Sequence, residues 1–210
     1  PRRRKNKDSK NYQTFRKKKE FNNQLDKCYL LLGKAYFYKK KYTMANNTFR
    51  FIQRQYAEDE ALMTEVSIWL FRSLTEMGRY EEAARIMDRL DGSTLKRKQR
   101  EMVAAARTDF YVRQGMYEQA IPEAERLVRT CKSIKRKPRY NFLLSQLYVK
   151  ENQDGAAKLA LKKATRFNFN YEMVFNARIG MASAYQEGDA AVEKKLKKTT
   201  KSRLSVNVSG

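Results

Sequence analysis

Apolar residues recur at spacings of three and four in successive windows of the chain. Tyr29, Leu32, Tyr36 and Phe37 form one stripe, Val66, Trp69, Leu70 and Leu74 a second, and Leu143, Leu144, Leu147 and Tyr148 a later one. That spacing aligns side chains along one face of an α-helix. After each stripe comes a polar or glycine turn and then another helical run, which supplies Phe49 and Ile52, Met87 and Leu90, Leu127 and Val128, or Leu161 and Ala164. The unit predicted is a hairpin of two antiparallel helices.

The hairpin repeats. Met77-Gly78-Arg79-Tyr80-Glu81-Glu82-Ala83 returns thirty-seven residues later as Gln114-Gly115-Met116-Tyr117-Glu118-Gln119-Ala120. Lys40-Lys41-Tyr42 with Ala45 precedes it by thirty-eight residues, and Asn152-Gln153-Asp154 with Ala157 follows the second copy by thirty-seven. A fixed period in this range is the mark of stacked supersecondary units. Gly78 and Gly115 suit the left-handed backbone that commonly ends a helix. Glu81, Glu82, Glu118 and Asp154 open the second helices, where the helix dipole favours negative charge. Ala45, Ala83, Ala120 and Ala157 stand where the two helices of a hairpin cross closely.

Leu32-Gly33, then Tyr36, Ala45 and Phe49, resemble the tetratricopeptide repeat (TPR). Later copies depart from it, with Phe71 and Thr108 where that pattern has small residues, and their periods exceed the usual 34. The expected fold is all-α, a TPR-like right-handed solenoid of antiparallel helix hairpins, with four hairpins plus a partial fifth. Its repeat domain covers residues 25–189 (about 25–62, 63–99, 100–137, 138–171 and 172–189), and the fifth first-helix runs over Met173–Gln186. Residues 1–24 form a basic lead-in, partly helical or disordered, and 190–210 a basic tail.

Charge changes this picture. The chain has 46 Lys and Arg against 23 Asp and Glu, a formal charge of +23. Residues 1–24 hold ten of the cations and two of the acids, and residues 190–210 hold six and one. A like-charge block is more often a solvated, partly disordered tail than an arm for nucleic acid, acidic lipid or acidic protein. Two further basic runs fall at hairpin connections: Lys96, Arg97, Lys98 and Arg100, then Lys132, Lys135, Arg136, Lys137 and Arg139. In a stack of hairpins such connections emerge along one edge, so the two clusters are expected side by side as a polyanion edge. Pro122 implies a late start or a mild kink in its helix.

The chain has no histidine, no G-x-x-x-x-G-K-S/T phosphate loop and no metal-ligand spacing. Cys28 and Cys131 lie more than a hundred residues apart and read as semi-buried small residues. Asp59 and its acidic neighbours lack the glycine and distal glutamate of a Ca²⁺ loop, and read as a helix start. No catalytic, cofactor or metal site is expected. No apolar run reaches the roughly twenty residues of a membrane span. The start at Pro1 suggests a processed chain or a fragment whose address tag is missing.

Cys28–Lys39, Arg139–Tyr148 and Tyr171–Ile179 also resemble strings of the SprE/PorW family of Bacteroidetes, lipoproteins tied to gliding motility and type IX secretion. That resemblance implies a periplasmic, outer-membrane-associated scaffold with protein partners. The TPR resemblance implies binding along the concave face of the first helices, at Lys34, Tyr38, Arg72, Glu76, Asp109, Arg113, Gln146, Lys150 and Ser183. Their signs alternate, which fits a mixed-charge peptide better than a phosphate track.

Overall fold

A computed structural model describes residues 24–90 and 95–165, together with 172, 175–177, 179 and 180. Ser183, residues 1–23 of the basic lead-in, most of the expected helix Met173–Gln186 and the basic tail lie outside the described residues. No strand occurs among those described. The helices are α1 (Leu25–Tyr38), α2 (Tyr42–Gln55), α3 (Glu60–Glu76), α4 (Tyr80–Arg89), α5 (Arg97–Arg113), α6 (Tyr117–Thr130), α7 (Lys137–Lys150) and α8 (Asp154–Ala164). Two compact units divide them: residues 1–77 carry α1–α3, and residues 78–210 carry α4–α8.

In the first unit α2 packs between α1 and α3. Phe49 and Ile52 are fully buried on α2, as are Val66, Leu70, Phe71 and Leu74 or nearly so on α3. Burying one such side chain contributes about 1.5–3 kcal/mol. The α1 stripe is rotated from the sequence expectation: Leu30, Gly33 and Phe37 face inward, whereas Leu32 is 42% exposed. The cause is a close approach at Gly33, where an added Cβ would come within 2.9 Å of the Phe49 ring. Only glycine lets α1 lie this near α2, and that contact fixes the rotation of α1. Asp59 starts α3 as expected, its carboxylate accepting the Leu62 N–H at 2.9 Å, a cap that contributes about 1 kcal/mol.

In the second unit α5 pairs with α6, α6 with α7, and α7 with α8. Ala120, Ala124, Leu144, Leu147, Ala157 and Ala160 share one core cluster with Tyr148. Ala177 continues the packing by closing on Leu161 and Phe142. Ala45, Ala83, Ala120 and Ala157 have no exposure at all, as their crossing role requires. Pro122 neither delays its helix nor sits in the first turn: α6 already starts at Tyr117.

All four hairpin turns share one device. Lys40, Gly78, Gly115 and Asn152 have φ of 59°, 71°, 72° and 56°. In three of them the next residue's N–H returns to a tyrosine carbonyl, Lys41 to Tyr36, Met116 to Tyr111 and Gln153 to Tyr148, at 2.8–2.9 Å. Gly155, by contrast, lies inside α8.

Candidate functional site

In the first unit, three of the residues placed on the first-helix face converge on Trp69. The Arg72 guanidinium lies 4.3 Å from the Trp69 ring centroid and 4.7 Å from that of Phe37. Lys34 reaches over the same indole at 5.5 Å while pairing with Glu65 at 2.7 Å. Tyr38 meets Trp69 edge-on at 5.7 Å between centroids and stays 70% exposed. Helical spacing makes this possible: Lys34 and Tyr38 are one turn apart on α1, and Glu65, Trp69 and Arg72 share a face of α3. The indole N–H is buried and has no acceptor among the described residues. A flat cation held between rings in this way loses little freedom on contact with a partner. Glu76 is half-buried near the end of α3.

The corresponding residues of the second unit are more dispersed. Asp109 and Arg113 pair with each other at 3.0 Å on α5. On α7, Gln146 is exposed and Lys150 reaches over the Tyr117 ring at 6.0 Å. Tyr117 contributes an aromatic surface that the sequence assigned to the turn.

The two basic runs do meet within the second unit, and a buried carboxylate joins them. Glu101 is 3% exposed. Arg136 approaches it to 2.9 Å and Arg97 to 3.8 Å, and Arg97 also reaches the Thr130 carbonyl at 3.5 Å. Arg97, Lys98 and Arg100 lie in the first turn of α5, and Lys137 and Arg139 in that of α7, rather than in loops. Cations there oppose the helix dipole, so a carboxylate between them is favourable. Burial, and after it the Glu101 charge, raise the Tyr140 phenol, while Arg136 pulls it down. Cys131, next to this cluster, has its thiol pushed up mainly by burial; Cys28 is exposed, and both are free. Lys96, Lys98, Arg100, Lys132, Lys135, Lys137 and Arg139 remain exposed.

A second ion-pair group was not anticipated. Arg107 donates to the Met87 and Leu90 carbonyls at 3.1 and 3.2 Å, satisfying the end of α4. Glu123 on α6 balances it at 3.5 Å and also meets Arg126 at 3.4 Å. Among the described residues, no three His, Cys, Asp or Glu converge as a metal-holding group, and no helix is long and apolar enough to cross a membrane.

Residues 138–171, which cover α8 and all of α7 after Lys137, match the tetratricopeptide repeat family model. Two solved structures are similar over nearly the whole chain. The MamA RS-1 ArsTM double mutant is 14% identical with a TM-score of 0.61, covering 90% of this chain and 99% of that one. MamA MSR-1 C2 is 16% identical with a TM-score of 0.56, covering 90% and 100%. Among curated proteins no sequence matches. These likenesses establish an all-α helical-repeat fold of TPR type and do not extend to the SprE/PorW family.

Proposed function

We propose that the chain is a non-catalytic scaffold that holds protein partners on the exposed face of its first helices. The observation that carries this reading is the convergence of Lys34, Tyr38 and Arg72 on Trp69. Aromatic and arginine side chains of this kind dominate protein interfaces, because they offer a large contact area at low entropic cost. The opposite charges of Asp109 and Arg113, one turn apart on α5, suit a mixed-charge peptide.

The setting we infer is a periplasmic assembly at the outer membrane, of the gliding-motility or type IX secretion kind. The support is the resemblance of 28–39, 139–148 and 171–179 to strings of the SprE/PorW family. The other candidate, polyanion binding at the basic edge, is weakened by Glu101, which already occupies Arg97 and Arg136.

The test is crosslinking of the full-length protein in its native cell, comparing wild type with Arg72→Glu combined with Arg113→Glu. The expected result is loss of specific crosslinked partners at unchanged helicity by circular dichroism. Unchanged crosslinking would remove the first-helix face as the docking surface. Fractionation of the same cells checks the periplasmic setting separately, and recovery in the cytosol would reject it.

A further inference from the structure

The second unit carries two clefts related by the thirty-seven-residue period. The first, about 510 Å³, is lined by Asp88, Leu95, Arg100, Ala104, Arg107 and Arg126. The second, about 800 Å³, contains their repeat equivalents Lys132, Lys137, Asn141 and Lys163, together with Ile134. It continues along α7 and α8 past Leu144, Tyr148, Leu159 and Ala160, with Val128, Arg129, Asn141 and Lys163 common to both parts. The clefts differ in chemistry at three equivalent pairs, Leu95 and Lys132, Ala104 and Asn141, and Arg107 and Leu144. Arg107 crosses the floor of the first and is committed to Glu123 and to the end of α4, whereas its equivalent in the second is Leu144.

The second cleft therefore has an apolar floor and a cationic rim. Ile134 and Leu159 stand in it 58% and 62% exposed. Among the described lining residues its one carboxylate, Glu125, is taken by the Tyr148 hydroxyl at 2.6 Å and by Arg129 at 3.7 Å. Lys132, Lys137 and Lys163 have no acidic partner among the described residues. An occupant must bring both negative charge and apolar side chains. The chain's own outer segments are strongly basic, and a second copy carries the same +23, so neither complements the rim.

We propose that the cleft formed by α6, α7 and α8 is a second docking site, for an acidic peptide segment of another protein that seats apolar side chains on Val128, Leu144 and Leu159. This site is separate from the first-helix face and does not depend on it.

The test is fluorescence anisotropy on the full chain with a fluorescein-labelled fourteen-residue peptide in which Asp and Glu alternate with Leu and Phe. Two controls have matching charge: the same peptide with Ser at its apolar positions, and a single-stranded oligothymidylate. The acidic apolar peptide should bind at least tenfold more tightly than either control. Lys137→Glu combined with Lys163→Glu should weaken it at least tenfold, and so should Leu159→Asp, an exposed position whose change leaves the core intact. Arg72→Glu should leave it unaltered, which separates this site from the first-helix face. Absence of binding, equal binding of the serine peptide or oligothymidylate, or indifference to the cleft substitutions would each overturn the proposal.

Discussion

The carboxylate of Glu101 and the guanidinium of Arg136 lie 2.9 Å apart, joining the start of α5 to the connection that precedes α7. Because Glu101 is buried while its two arginines are about half exposed, it is the residue whose loss should be felt. Glu101→Gln is expected to cost about 1–2 kcal/mol, below the full penalty of breaking a buried pair because water reaches the arginines. Urea unfolding measures this. The same variant should bind oligothymidylate more tightly at low salt, since Arg97 and Arg136 are released.

Gly33→Ala tests which of two opposed effects prevails. Alanine favours an exposed helix interior by about 1 kcal/mol, but here its Cβ would enter the space of the fully buried Phe49 ring. Overpacking costs about 1–3 kcal/mol, so a net loss of stability is expected. A midpoint in thermal unfolding at or above that of wild type would show that α1 can move away without cost.

The four left-handed turn positions give a graded series. Lys40 has a Cβ where glycine is unstrained, so Lys40→Gly should stabilise by about 0.5–1 kcal/mol. Asn152→Gly should gain less, since asparagine tolerates this backbone. Gly115→Ala should lose about 1 kcal/mol. Denaturant midpoints should fall in that order.

Tyr148 predicts a pH dependence. Burial first, and then the hydrogen bond to Glu125, push its phenol up from the ordinary tyrosine value of about 10 to about 12. The folded state thus holds this proton at pH values where the unfolded chain has released it. The resulting stability is fully present below about pH 10 and is lost as pH rises toward about 12. Tyr148→Phe should abolish this component of the decline. It should also cost about 1.5–3 kcal/mol at neutral pH, as for a hydrogen bond to a charged group. Urea midpoints across pH 9–12 for both proteins decide it.

The hairpins were legible in the sequence because two short-range signals coincide: apolar spacing along each helix, and a turn residue at every thirty-seventh or thirty-eighth position. Each is read along one helix or one turn and then repeated down the chain, and the alanine crossings follow from them. The rotation of α1 was not legible, since it depends on how Gly33 fits Phe49 in another helix. The same limit applied to charge. The basic runs were visible, but nothing local showed that Glu101, four residues after Arg97, would be buried between Arg97 and Arg136. On the first-helix face, Lys34, Tyr38 and Arg72 could be placed from the repeat pattern. The indole that gathers them looked like one more member of an apolar stripe.

Cys28 is exposed, whereas Cys131 is buried with its thiol held in the less reactive protonated form. A maleimide pulse should therefore tag native molecules once, on α1, and add a second mass increment only when the end of α6 lifts away from its neighbours. The untouched sequence thus carries its own clock for local opening beside the Glu101 ion pairs, readable by intact-mass spectrometry without introducing a foreign probe.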